Sequence, residues 1–362
     1  MSPEPTPDSF TETLADRLRR NVERNVLRAR NGLKHVSGVG RPEVGVSPRD
    51  LVWERGKVCL YRYRSASRVF SPPVLLVMSL VSKPYVLDLR PNNSFVEALV
   101  RRGHDVYMLD WGTPDASDAR NTIETYCDEL IPFASAAAMR TSGALGIHVF
   151  GYCLGGLLSL VFAGGHPEIP LRSLSLLATP IDMRHMGSIP KLLSQDSAKP
   201  EDFVDETGNV PAETVIRGVS SIAVTGKVAA YAALLENLDN SELLVAHQAM
   251  HGWANDHIPF PGATFRQVTE WLVKDNQLAE NRLVTRSGPI DLSAIRCPVL
   301  NVMGERDHMV SAEANSPIGE HISHAETLTF PAGHAGLIIG ARAHRTCIPA
   351  MAEWIEMHSD RI

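Results

Sequence analysis

Three residues in this chain have the types and the order that nucleophilic acyl transfer requires. Residues 148–160 read HVFGYCLGGLLSL and place Cys153 at the centre of Gly151-Tyr152-Cys153-Leu154-Gly155-Gly156, between two apolar runs. The pattern is that of a nucleophile elbow, in which a strand turns sharply into a helix and exposes the central side chain. An elbow of this kind needs an acid and then a histidine later in the chain, each just past a strand. VMGERDHMV supplies Asp307 after a predicted strand over 298–303, and LTFPAGHAGLI supplies His334 after one over 326–330. A thiol with a pKa of about 8.5 is scarcely ionised at neutral pH, so a neighbouring base must take its proton. His334 is the expected base, and Asp307 is expected to hold its tautomer and stabilise the imidazolium. The backbone N–H of Leu154, at the start of the elbow helix, is expected to meet a developing oxyanion. A second N–H is expected from Leu80 or Val81, in the loop after an apolar strand over 73–78.

Each of these residues alone has a plain structural explanation: a turn, a cap or a packed histidine. Their joint order after three predicted strands is what points to catalysis. Glu305 is a weaker candidate acid because it sits nearer the strand end. His308 is expected to support the site or face a lid, since its side chain diverges from that of Asp307. His185, His247, His251 and His257 lack metal-ligand spacing, so no metal and no cofactor is expected. The five cysteines are odd in number and widely spaced, without a C-x-x-C pair. That fits reduced thiols in a cytoplasm better than a disulfide framework, with Cys59, Cys127, Cys297 and Cys347 as small buried hydrophobes.

The elements that must position these residues alternate along the chain. Strands are expected over 57–63, 73–78, 105–111, 146–150, 171–180, 297–304 and 325–331, with helices over 94–102, 120–140 and 341–358. Strands alternating with helices imply a parallel-rich central sheet covered on both faces, here an α/β-hydrolase fold. The expected organisation is an N-terminal segment over 1–45, a first core part over 46–180, a helical cap over 181–290 and a second core part over 291–362. In the N-terminal segment Phe10, Leu14, Leu18, Val22 and Val26 recur at i, i+4, so 9–31 reads as an amphipathic helix with an arginine-rich face. Residues 9–35 carry a net charge of +4. The whole chain has 362 residues, 44% hydrophobic and 21% charged, with a net charge of −6. This balance argues against nucleic acid as a partner, and no run reaches the length of a transmembrane helix. No secretory signal pattern opens the chain.

The same motifs resemble those of the polyhydroxyalkanoate synthase family. PVLLVMSLVSKPYVLDLRPNNSFVEALVRRGHDVYMLDWGTPD (73–115), HVFGYCLGG, CPVLNVMGERDHMV and GHAGLIIG are similar to its blocks, over most of residues 50–355. The chain length resembles the short synthases that work with a second subunit; LDLRPNNS is closer to the long single-subunit ones. The resemblance implies an acyltransferase that polymerises 3-hydroxyacyl-CoA thioesters, with Cys153, Asp307 and His334 in the family's catalytic positions. It implies a growing polyester chain as acceptor, a homodimer or a second synthase subunit as partner, and a cytoplasmic location at the surface of polymer inclusions. Sulfur then has a reason: thiol-for-thiol exchange is nearly thermoneutral, so an enzyme thioester can still acylate a hydroxyl. A cysteine hydrolase, acting as thioesterase or depolymerase, and a non-catalytic granule-associated subunit are the alternatives.

Overall fold

The computed structural model describes residues 19, 22–31, 42–187, 189–195, 199–222, 234, 237 and 239–362. The chain forms two units, one of residues 1–42 with 225–249 and one of residues 43–224 with 250–362. In the larger unit eight strands form one sheet: β1 (Arg49–Arg55), β2 (Val58–Tyr63), β3 (Val74–Val77), β4 (Val106–Asp110), β5 (Ile147–Tyr152), β6 (Leu171–Leu177), β7 (Val299–Gly304) and β8 (Glu326–Phe330). Their spatial order is β1-β2-β4-β3-β5-β6-β7-β8. β2 runs antiparallel to β1 and β4, and the remaining neighbours are parallel.

Burial explains which strands the amino-acid pattern reveals. β3 (VLLV) and β5 (IHVFGY) are buried at every position, and strands covered on both faces read as near-continuous apolar runs. β1 (RDLVWER) has no fully buried residue, so no such run betrays it, and it was not expected. The strand expected over 171–180 stops at Leu177 because Ala178 turns into positive φ. The helix expected over 94–102 is α1 (Phe95–Arg101), and a Ser94 N-cap starts it. Ser94 accepts from the Glu97 N–H at 2.9 Å while Glu97 accepts from the Asn92 N–H. The 120–140 prediction corresponds to a π-wound turn over Thr125–Leu130 and α2 (Ile131–Ser142), which Gly143 closes in the left-handed region. α3 (Leu154–Gly165) follows the elbow and is apolar almost all round, as befits a helix buried behind the sheet.

Between β6 and β7 the described residues add no strand to the sheet. The described residues there include α4 (Ala212–Ile222), α5 (Ser241–Ala254) and α6 (Gly262–Gln267). They also include a small buried strand pair, Asn209–Val210 with Phe260–Pro261, that the helical reading did not anticipate. The closing helix expected over 341–358 is π-wound over Ala343–Cys347 and becomes α7 (Ile348–Met357). In the smaller unit residues 22–31 are helical, and Arg24 and Arg28 pair with Asp239. Residues 9–18, 20 and 21 of the expected amphipathic helix lie outside the described residues, and Val22 and Val26 of its stripe are exposed. Among the other cysteines, Cys127 and Cys347 are buried as expected, whereas Cys59 and Cys297 are only half-buried.

Two histidines in the larger unit make its stability depend on pH. His148, on β5, shares its ring nitrogens with Ser173 Oγ at 2.7 Å and Ser359 Oγ at 3.0 Å. Burial, with His104, Arg172 and His358 nearby, pushes its pKa down to about 3. His104 stacks on Phe70, and burial pushes its pKa down to about 4. Both imidazoles stay neutral in the fold, while the unfolded chain protonates them near pH 6.5. Their contribution is therefore complete above about pH 6.5 and falls as pH drops towards 4, by ~1.4 kcal/mol per pH unit for each histidine at most. Thermal unfolding followed by circular dichroism should show Tm falling steadily from pH 7 to pH 4.5, and His148→Gln should flatten that slope. A Tm independent of pH over this range would contradict the account.

Candidate active site

The elbow is a close approach of backbones. Cys153 sits between β5 and α3 with φ +57° and ψ −123°, a region that costs a non-glycine residue about 1–3 kcal/mol. Its N–H donates to the Leu177 carbonyl at the end of β6, and its own carbonyl accepts from the N–H groups of Gly156 and Leu157. The flanking glycines allow α3 to lie against the strands. A Cβ on Gly155 would stand 2.2 Å from the Val77 carbonyl oxygen, and one on Gly156 would stand 1.9 Å from Thr179 Oγ1. Cys153 as a residue is left 8% exposed at the end of the sheet.

β7 and β8 are parallel neighbours, and their C-terminal loops are laced together. The Glu305 N–H donates to the Phe330 carbonyl, and the Arg306 N–H donates to the Ala332 carbonyl. This brings Asp307 to His334: Asp307 Oδ2 lies 2.7 Å from His334 Nδ1. The other carboxylate oxygen, Oδ1, accepts from the N–H groups of Met309 and Val310, both at 2.9 Å. Burial would raise the Asp307 carboxyl, but the His334 imidazole and these two N–H groups outweigh it and hold the pKa below its ordinary value. Burial would likewise depress His334. The Asp307 carboxylate and the hydrogen-bonded Cys153 thiol overcome it and push the imidazole up to about 10. Asp307 and His334 thus meet in a direct hydrogen bond, and the Cys153 thiol acts electrostatically on the same imidazole.

Tyr152 escaped the sequence reading. Its ring stacks on His334, with centroids 5.1 Å apart, and its hydroxyl donates to the His334 carbonyl at 3.4 Å. The signal was present, since Tyr152 immediately precedes the nucleophile position, but only the fold shows that it braces the imidazole. The 78–83 loop is also held from places no motif announces. Trp111 Nε1 donates to the Met78 carbonyl and Trp253 Nε1 to the Lys83 carbonyl. Ser82 Oγ lies 3.1 Å from His257 Nδ1, and the Ile258 N–H donates to the Val81 carbonyl.

A cavity of about 390 Å³ opens beside the thiol, and Val81, Cys153, Leu154 and Met309 border it. Leu154 is the first residue of α3, where a helix has no intrahelical partner for its N–H. Leu80 is instead buried in the apolar core. His308 and Glu305 are exposed, and Met309 is the residue of their loop that faces the cavity. Among the described residues no group of three His, Cys, Asp or Glu side chains could hold a metal ion, and no helix is long and apolar enough to cross a membrane.

Comparison with known proteins agrees with this architecture. The alpha/beta hydrolase fold family matches residues 72–341, and the poly-beta-hydroxybutyrate polymerase (PhaC) N-terminus family matches residues 10–99. The poly(3-hydroxyalkanoate) polymerase subunit PhaC of Haloferax mediterranei is 30% identical over 98% of this chain and 73% of its own length. The corresponding subunit of Haloarcula marismortui is 32% identical over 88% of this chain and 69% of its own. Among solved structures, a meta-cleavage product hydrolase from Pseudomonas fluorescens IP01 aligns with a TM-score of 0.51 at 16% identity, covering 87% of this chain and 98% of its own, a likeness of fold alone. The match along nearly the whole chain, with the elbow at Cys153 on an α/β-hydrolase sheet, means that the chain belongs to the poly(3-hydroxyalkanoate) polymerase PhaC family.

Proposed function

We propose that this protein is an acyltransferase that polymerises 3-hydroxyacyl groups from coenzyme A thioesters into a polyester, with Cys153 as nucleophile, His334 as base and Asp307 as its orienting acid. The observation that supports the reading is the Asp307 Oδ2–His334 Nδ1 hydrogen bond together with Cys153 at the positive-φ elbow between β5 and α3. His334 takes the thiol proton, and the thiolate attacks the acyl carbonyl of the CoA thioester. The tetrahedral oxyanion is met by the Leu154 N–H, with Val81 rather than Leu80 as the source of the second donor because Val81 borders the cavity. Collapse of the tetrahedral adduct expels CoA as its thiol, which takes the proton from His334, and leaves an acyl thioester on Cys153. A hydroxyl of another hydroxyacyl unit or of the growing chain then attacks the thioester, and His334 accepts that hydroxyl proton. The new ester bond forms as the C–S bond breaks, and the proton returns to sulfur.

Asp307 matters because its charge favours the imidazolium. It raises the proton affinity of His334 and so favours transfer of the thiol proton. The residues between β6 and β7 act as a cap: the apolar cavity wall they build keeps water from hydrolysing the acyl enzyme. The expected surroundings are the cytoplasm and polymer inclusions, with a homodimer or a second synthase subunit as partner. Exclusion of water is what separates a polymerase from a thioesterase with the same three residues.

With 3-hydroxyacyl-CoA as substrate, Cys153→Ala should lower CoA release by about 10⁴-fold or more while circular dichroism stays that of the parent. Cys153→Ser should retain the elbow but lose most polymerisation, because the oxoester it forms is a poorer acyl donor. Soluble hydroxyacid instead of insoluble polymer from the parent enzyme would turn the assignment to a hydrolase, and normal CoA release by Cys153→Ala would remove Cys153 from the mechanism.

The imidazole–thiol pair has its own pH test. Iodoacetamide labelling of Cys153 should be fast at pH 7 in the parent and at least tenfold slower in Asp307→Asn, where the imidazolium loses its carboxylate. In His334→Ala labelling at pH 7 should likewise slow at least tenfold, because the thiol has lost the group that takes its proton. Equal labelling rates in all three proteins at pH 7 would exclude the proposed base.

A further inference from the structure

The cavity beside Cys153 has a chemistry of its own. Its wall is made of side chains such as Met183, Met186, Val215, Val219, Phe260 and Phe265. Among the described lining residues, hydroxyls come from Thr214 and Ser221, and both are engaged within α4. Thr214 Oγ1 accepts from Arg217 at 3.0 Å, and Ser221 Oγ donates to the Gly218 carbonyl at 2.7 Å. A polyester segment would bring one ester carbonyl after another into this space and find, among the described side-chain hydroxyls, only the Thr214 O–H left to donate, an unfavourable exchange for water. A hydrocarbon chain asks for no donor and gains from every methylene it buries. Size points the same way. At the ~30 Å³ share of a liquid water, 390 Å³ accommodates about a dozen heavy atoms. A 3-hydroxydecanoyl group matches that space, whereas a 3-hydroxybutyryl group fills about half of it and leaves apolar walls without contacts.

We propose that this cavity is the binding site for the alkyl tail of the 3-hydroxyacyl group, which makes medium-chain 3-hydroxyacyl-CoA thioesters better substrates of this protein than 3-hydroxybutyryl-CoA. The proposal rests on the polymerase reading above. Burial of a methylene is worth about fourfold in specificity, so a tail several carbons longer gains tenfold or more even when part of it stays in solvent. α4 supplies the wall that sets the limit. Val215 and Val219 lie one turn apart on it, and both line the cavity.

The test is CoA release by the full-length protein with 3-hydroxybutyryl-CoA, 3-hydroxyoctanoyl-CoA and 3-hydroxydecanoyl-CoA, read as kcat/KM. The ten-carbon to four-carbon ratio should be at least ten in the parent. Val219→Phe, which fills the cavity, should cut that ratio at least tenfold, and Val219→Ala should keep or increase it. Should Val219→Phe fail to fold, the parent ratio and the Val219→Ala ratio decide the matter. A parent ratio below one, or a ratio that Val219→Phe leaves unaltered because both substrates slow together, overturns the proposal; the second result would assign the cavity to the growing polyester. CoA release from 3-hydroxybutyryl-CoA alone leaves the polymerase reading standing while this one falls. No release from any of the three thioesters strikes the polymerase reading itself.

Discussion

The close approach of α3 to the ends of β3 and β6 is the constraint on which the site depends. Gly155 and Gly156 let the helix backbone meet the Val77 carbonyl and the Thr179 side chain at distances no Cβ tolerates. Only with the helix that near can Cys153 take its left-handed backbone, with its N–H bonded to Leu177 and its thiol turned out at the sheet end. The strain held there is offset by the burial of α3 and of the central strands around it. A looser elbow would relax the thiol into the core, and the acid and histidine loops would have nothing to converge on.

Electrostatics add a second layer to that mechanical one. Asp307 is buried, yet three groups address its two oxygens: two backbone N–H groups and the His334 ring. A buried carboxylate so satisfied can remain charged, and its charge is what favours a proton on His334. Tyr152 fixes the imidazole from the opposite side by stacking, so the ring is held both in its plane and across it. Cys153 in turn borders a cavity whose wall is almost wholly apolar. Charged chemistry confined to one wall and hydrocarbon on the other suits acyl transfer from which water is excluded.

What could be read from the amino-acid sequence follows from what each residue must do locally. Buried parallel strands have to be continuous runs of Val, Leu and Ile, so β3 and β5 to β7 were visible. An elbow needs small residues at fixed offsets, so Gly151, Gly155 and Gly156 marked Cys153. Loops after strands in a parallel sheet open at one end, so the positions of Asp307 and His334 just past strands put both at the end where the elbow lies. The edge strand β1 was missed because it buries too little to carry a pattern, and the small strand pair of Asn209–Val210 and Phe260–Pro261 is too short to show one.

Tertiary structure alone decided the remainder, because those features join residues whose separation in the chain no local rule encodes. Tyr152 stacks on a ring 182 positions away. The loop holding Val81 is anchored by Trp111, Trp253 and His257, and no motif encodes those contacts. His308, expected to support the site or face a lid, is exposed beside the buried Asp307, and Met309 is the residue of their loop that borders the cavity. The cavity itself is a volume between side chains from distant segments, and its size and polarity exist only once they are packed. Residue order therefore determined the fold class and the placing of Cys153, Asp307 and His334 just past strand ends, since both arise from local sterics and burial. Three-dimensional packing decided how those groups are braced and what can lie beside them, since contacts over long separations are made only by the folded chain.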